Sequence, residues 1–172
     1  MGEAQPDIPR LLRETGALLE GHFRLSSGLH SLNYVQCALL LEKPVNARAI
    51  GDALAECVIQ LGAQRVVAPA LGGLIIGYTV ADALTLPMVF TERKDGVMQL
   101  RRGFTIGEQT KVLIIEDVVT TGKSTKETAA VVKEAGGEVV GYGSILNRSG
   151  KDNPFDLPFH SLLRMDLETH PE

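Results

Sequence analysis

Four short runs of this chain carry almost no polar alternation: residues 65–69 (RVVAP), 87–90 (PMVF), 111–115 (KVLII) and 138–146 (EVVGYGSIL). A strand with one face in water alternates apolar and polar residues, whereas a strand without alternation is covered on both faces. Between the runs lie helical segments, 74–84 and 124–135, the second stopped by Gly136-Gly137. Strands alternating with helices predict an α/β fold, a parallel sheet flanked by helices on both faces.

The flanking regions are less regular. Pro9 opens a helix that runs to about Glu14, and Gly16 and Gly21 weaken the pattern beyond it. "FRLSSGLHSLNYVQC" reads as two extended stretches around a Ser27-Gly28 turn. Asn46 is a candidate cap for a helix in which Ile50, Leu54, Cys57 or Val58, and Leu61 recur, with Gly62 ending it. The segment from residue 152 onward is turn-rich, with one more strand at 159–163 and then a tail. A length of 172 residues fits one domain spanning 1–172, with no internal repeat to divide it.

Composition excludes several classes. The net charge of -4 supplies no basic field for a nucleic-acid backbone. No apolar run reaches the length of a membrane span, and the first residues carry Glu3, Asp7, Arg10, Arg13 and Glu14 in place of a signal core, so a cytoplasmic protein is expected. Cys37 and Cys57 form no CxxC pair and read as free thiols. His22, His30, His160 and His170 show no metal-ligand spacing, and no residue is assigned to a metal.

In a sheet of this kind ligands collect at the carboxyl ends of the strands. Those ends are "APALGG", "TERKDGVMQLRRG", "EDVVTTGKS" and "NRSGKD", where glycines, acids and bases concentrate. Gly122-Lys123-Ser124 matches the second half of a nucleotide-triphosphate loop, but the glycine required five residues earlier is Asp117, a carboxylate that would repel phosphate. A monophosphate fits better. Thr120, Thr121 and Ser124 offer hydroxyls, Gly122 admits close backbone approach, and the helix start adds unpaired N–H groups. Glu116 and Asp117, just upstream, can accept hydrogen bonds from sugar hydroxyls. The alternative is a solvated acidic turn ahead of an ordinary capped helix.

Residues 112–124, four apolar residues, two acids and a Thr-Gly loop, resemble the phosphoribosyl-diphosphate signature of the type I phosphoribosyltransferases. "FRLSSGLHSLNY", "FTERKDG" and "LNRSG" are further similar to the orotate-specific branch of that family. The resemblance implies a parallel sheet with a small N-terminal hood, mainly residues 1–40 plus the C-terminal segment. It also implies transfer of ribose 5-phosphate from phosphoribosyl diphosphate to orotate, with Mg²⁺, in pyrimidine (UMP) biosynthesis.

By the same resemblance Glu116, Asp117, Val118, Val119, Thr120, Thr121, Gly122, Lys123, Ser124, Gly72, Gly73, Arg93 and Lys94 would hold phosphoribosyl diphosphate. Thr120, Arg148 and Tyr34 would hold orotate, and Lys94, Arg101 and Asp117 would act in catalysis. An arginine fork suits a carboxylate-bearing base, although Arg148 could instead pair with a nearby acid of the protein. A homodimer is implied, with loop 93–103 reaching the neighbouring site.

The chain departs from the family pattern at Ser26 and Gly72, where lysines are common, and in a short loop whose later bases are Arg101 and Arg102 only. That loop, with Arg93, Lys94, Arg101 and Arg102 around Val97, Met98 and Leu100, reads as a mobile lid or as a basic β-hairpin. Another type I enzyme acting on a purine or uracil, and a non-catalytic regulator of the same fold, are the rival readings.

Overall fold

The computed structural model of the chain describes residues 4–24, 30–166 and 169–170. Its centre is a six-stranded sheet built from β3 (Arg65–Pro69), β4 (Met88–Lys94), β5 (Val97–Leu100), β6 (Lys111–Val119), β7 (Glu138–Asn147) and β8 (Phe159–Arg164). The spatial order is β5-β4-β3-β6-β7-β8. All neighbours are parallel except β5, which turns back antiparallel on β4. The four apolar runs form the inner strands β4, β3, β6 and β7, as their lack of alternation requires. β6 is enclosed from Val112 to Glu116.

Two apolar cores lie on the two faces of this sheet. Alternation along β6 sends Leu113 and Ile115 into one and Val112 and Ile114 into the other. The first core receives α3 (Pro44–Val58) and α4 (Gly73–Leu84), and the second receives α5 (Lys123–Glu134). Helix α1 (Ile8–Glu14) and the short α2 (Cys37–Leu40) add Ile8, Leu12 and Leu40 to the first core. A separate antiparallel sheet of β1 (Leu18–Arg24), β2 (His30–Val35) and β9 (Thr169–His170) accounts for the hood. The expected Ser27-Gly28 turn, like Ser26, lies outside the described residues, between β1 and β2.

Several boundaries differ from the sequence reading. Asn46 caps nothing: α3 starts earlier, behind Lys43, because Pro44 brings a pre-set φ and needs no hydrogen-bond partner at the first turn. Gly62 does close this helical region, after a 3₁₀ turn, at φ 69°. Strands β4 and β6 both continue past their apolar runs, to Lys94 and Val119. Polar residues expected in loops therefore sit on hydrogen-bonded strand ends. Residues 93–100 are paired as a hairpin, with Arg93 opposite Met98 and Lys94 opposite Val97 around a turn at Asp95-Gly96.

Helices α3 and α4 approach closely because Gly51 has no side chain. A Cβ there would stand 3.0 Å from the Thr79 carbonyl carbon and closer still to the Thr79 side chain. Gly51→Ala is therefore expected to destabilise the fold by about 1–3 kcal/mol through overpacking, despite alanine's better helix propensity. Urea denaturation measures this directly, and an unchanged or raised midpoint would show that the helices separate freely.

Candidate active site

Strand β6 delivers the two acids and the phosphate-type loop as one continuous piece. Glu116 is buried and Asp117 half-buried at its carboxyl end. The Asp117 N–H donates to Glu116 Oε1 at 3.1 Å, and the Val118 N–H donates to Asp117 Oδ1 at 2.8 Å. Burial first, and then the neighbouring Asp117 charge, push the Glu116 carboxyl up to about 9. An acid in that state carries its proton at neutral pH until donors or a cation arrive to favour the carboxylate.

Immediately beyond, Gly122 takes φ 78° and turns the chain into α5. A side chain there would also collide with Phe155, 2.9 Å away. Thr121 Oγ1 accepts the Lys123 N–H at 3.2 Å, while Thr120 and Thr121 remain exposed. The loop, the first turn of α5 and Glu116 enclose a polar hollow of about 80 Å³. A water needs roughly 10–15 Å³ of such space, so the hollow has room for a small tetrahedral anion. Hollows of 490 to 510 Å³ occur elsewhere, but none of them is lined by either acid. Convergent polar groups, rather than size, mark the site.

The segment after β3 closes against the acids. Its Ala70–Leu71 peptide is cis. A Cβ on Gly72 would stand 2.7 Å from Asp117 Oδ2, and one on Gly73 would stand 3.1 Å from the Ile115 carbonyl oxygen. Gly72 is therefore a close-approach glycine: any side chain there, including the lysine common in the family, would have to displace Asp117.

The hairpin's cations are mostly engaged. Glu92 accepts from Arg101 Nη1 at 2.7 Å and from Arg102 Nε at 2.6 Å, and Arg102 also lies over the Phe90 ring. Hydrogen bonding from Arg102 holds the Glu92 carboxyl below the usual carboxylate range. Arg93 pairs with Glu127 on α5 and donates to Ser124 Oγ at 3.4 Å. Lys94 is the hairpin base with no ion pair among the described residues. Met98 is buried and only Val97 is well exposed, so the apolar centre of the hairpin is already half packed.

Arg148 follows β7, and its N–H donates to the Val119 carbonyl at 2.8 Å, which holds it beside the phosphate-type loop. Its guanidinium is buried, with Nη2 donating to the Asn33 carbonyl of β2 at 3.3 Å and Nε without a partner. Burial lowers its pKa, and no described carboxylate pairs with it. The internal ion pair considered from sequence is not formed. Tyr34, the next residue on β2, is exposed and within ring contact of Phe23.

Cys37 was not singled out for the site, yet it feels the charges of Asp117, Arg148 and Glu116. Burial and then Asp117 push its thiol far up, so it is a neutral wall and not a nucleophile. Glu92 and Glu127 were also missed. Glu127 lies one turn beyond Ser124, a spacing that could have flagged it.

Comparison with known proteins agrees with this geometry. Residues 39–162 match the family model described as a phosphoribosyl transferase domain. The chain is 49% identical to an orotate phosphoribosyltransferase of Thermotoga maritima over 163 residues, covering 95% of this chain and 87% of the relative. It is 47% identical to one of Carboxydothermus hydrogenoformans with the same coverage of each chain. Among solved structures, orotate phosphoribosyltransferase of Aeropyrum pernix superposes with a TM-score of 0.72 at 25% identity, covering 89% of this chain and 92% of that one.

The state of Glu116 sets a pH signature. In the folded protein burial and the Asp117 charge raise this carboxyl to about 9, whereas the unfolded chain releases its proton in the ordinary carboxylate range near 4.5. Between those limits the folded state binds more protons, so this contribution is complete at the acidic end and is lost as pH rises towards 9. Thermal melts from about pH 5 to about pH 9 should show the melting temperature falling, with a shallower slope in Glu116→Gln. Parallel slopes in the two proteins would place the titration elsewhere.

Proposed function

The chain belongs to the phosphoribosyltransferase family, among its orotate phosphoribosyltransferases, and from that premise we propose how its residues divide the work. The reaction transfers ribose 5-phosphate from phosphoribosyl diphosphate to orotate, giving orotidine 5′-monophosphate and diphosphate. The observation that carries the residue assignment is Arg148: a buried guanidinium with an idle Nε and, among the described residues, no acid to pair with. Such a cation is costly in the empty protein, and a carboxylate-bearing base repays that cost with charge-assisted hydrogen bonds. Tyr34 and Thr120 complete the base pocket in this reading.

The hollow bounded by Thr120, Thr121, Gly122, Lys123 and Ser124 takes the 5-phosphate, through hydroxyls and the N–H groups that open α5. Asp117 and Glu116 accept from the two ribose hydroxyls. Those donors favour the carboxylate, so substrate binding releases the Glu116 proton to solvent. Gly72, Gly73, Arg93 and Lys94 face the diphosphate, with Lys94 the base free to move onto it.

The C1′–oxygen bond to diphosphate breaks as the bond from C1′ to the orotate nitrogen forms, and that nitrogen's proton leaves to solvent. Positive charge grows on the ribose beside the acids while negative charge grows on diphosphate beside the hairpin bases. Positioning and fixed charge therefore account for the rate. Among the described residues no cluster of three or more His, Cys, Asp or Glu is set to hold a metal. Mg²⁺ binds one or two carboxylates and otherwise substrate oxygens and water, and half-buried Asp117 at the end of β6 offers one. Asp117 is the carboxylate that would share it, and when bound it neutralises charge on the leaving diphosphate. The reading keeps the cytoplasmic setting expected from the sequence.

We also propose a homodimer. Leu71, Ile75 and Tyr78 expose an apolar face on and just ahead of α4, with Tyr78 70% exposed, around a hollow also lined by Met88, Phe90 and Phe104. A face of this kind marks an interface, and it begins beside Gly72. A partner covering it would border the active site and bring its own hairpin near.

Arg148→Met should raise the KM for orotate by roughly 10–10² and leave that for phosphoribosyl diphosphate nearly unchanged. Because it removes an uncompensated buried charge, its melting temperature should hold or rise. A large fall in melting temperature with equal weakening of both substrates would make Arg148 structural.

Mixing tests the dimer and Lys94 together. Lys94→Ala and Arg148→Ala chains, each nearly inactive when orotate is held well below the raised KM, should regain activity when refolded together, because one site of each hybrid has both residues intact. No recovery from a mixture shown by sedimentation to contain hybrids would confine Lys94 to its own chain's site, and monomers would remove the dimer altogether.

A further inference from the structure

Three segments must hold one extended substrate: the loop from β6 into α5, the segment after β3, and the end of β4 with its hairpin. Thr91 lies in the third, bonds to Ala70 of the second and bonds to Thr128 on α5, the helix that the first segment opens. It lies on β4, fully buried, two residues before Arg93. Its carbonyl accepts the Ala70 N–H at 2.7 Å, just ahead of Gly72-Gly73. Its hydroxyl lies 2.9 Å from that of Thr128 on α5, which is also fully buried, one turn beyond Ser124. The outer contacts of the same joint, Arg93 with Glu127 and Ser124, are exposed, and water and phosphate can compete for them.

A hydroxyl pair inside an apolar core is a weak choice for stability alone, because two packed methyl groups would serve the same space. Its directional use is to fix how α5 sits relative to β4. We infer that Thr91 and Thr128 are positioning residues whose buried hydroxyl pair sets the distance between the 5-phosphate cradle and the Gly72-Gly73 segment, the diphosphate-facing segment that Thr91 holds through Ala70. The inference rests on the division of labour proposed above. Neither residue touches substrate; both act through the segments they join. A ligand that bridges both cradles feels that distance, and a ligand that occupies only one does not.

The test compares phosphoribosyl diphosphate with its two halves, ribose 5-phosphate and Mg²⁺-diphosphate, by calorimetry on the full-length protein. Thr91→Val, Thr128→Val and the double variant should each weaken phosphoribosyl diphosphate by about five- to tenfold and leave each half-ligand within about twofold. The KM for orotate at saturating co-substrate should not move, and Thr91→Ser should bind as the unaltered protein does. Each single valine leaves one buried hydroxyl unpaired, so the double variant should melt higher than the singles while its binding defect persists. Equal weakening of all three ligands, or wild-type affinity for phosphoribosyl diphosphate in the double variant, would reduce the pair to packing and overturn the inference. An unaltered protein that binds phosphoribosyl diphosphate but neither half would overturn the two-cradle reading itself, and the inference with it.

Discussion

The site depends on β6 staying paired to β7 after its apolar residues end. The register runs unbroken through Glu116 opposite Ser144, Val118 opposite Leu146 and Val119 opposite Asn147. A strand that frayed where its polarity changes would leave two acids in a solvated turn. Held in the ladder, they alternate in direction, and Asp117 comes against Gly72 while Glu116 lines the hollow beneath the loop. The same pairing carries the chain to Arg148, whose N–H continues the ladder onto Val119. One set of backbone hydrogen bonds therefore fixes the two acids, the loop at 120–124 and Arg148 relative to each other.

Charge is distributed in two contrasting ways around that frame. On the hairpin, three of four cations meet an acid of the same chain, and each pair is partly solvated, so it can be exchanged at little cost. In the interior, burial and the Asp117 charge raise the Glu116 carboxyl, and Arg148 meets no acid among the described residues. Both buried groups would be destabilising in a protein with nothing to bind. Local rules of folding are broken where a ligand supplies the missing partner, and the surrounding cores of Leu, Ile and Val offset the cost.

Glycine enters the same logic at two places. At Gly72 a side chain would have to displace the Asp117 carboxylate, so glycine lets the two segments meet as they do here. At Gly122 both the left-handed backbone and the Phe155 ring demand glycine. Phe155 also stacks on Tyr142, so the phosphate-type loop rests on an aromatic floor from the far end of the chain. Nothing near Gly122 in the sequence announces that floor.

The apolar runs determined the parallel sheet by themselves, because a strand buried on both faces leaves a local composition that no half-solvated strand shows. The order of acids, hydroxyls and glycine in 116–124 likewise pointed to a sugar-phosphate ligand, since residue types matched to it lie within one short stretch of chain. Tertiary structure alone decided the rest. That the chain pairs as a hairpin around Asp95-Gly96 depended on β5 turning back on β4, and that Glu92 and Glu127 reach its arginines is a matter of distance, since such acids are indistinguishable from surface acids in sequence. That Arg148 lacks a carboxylate partner depended on burial under β2, more than a hundred residues earlier. Whether a charge is paired is a property of distance in space, and spacing along the chain records it only when both partners share one helix or one turn.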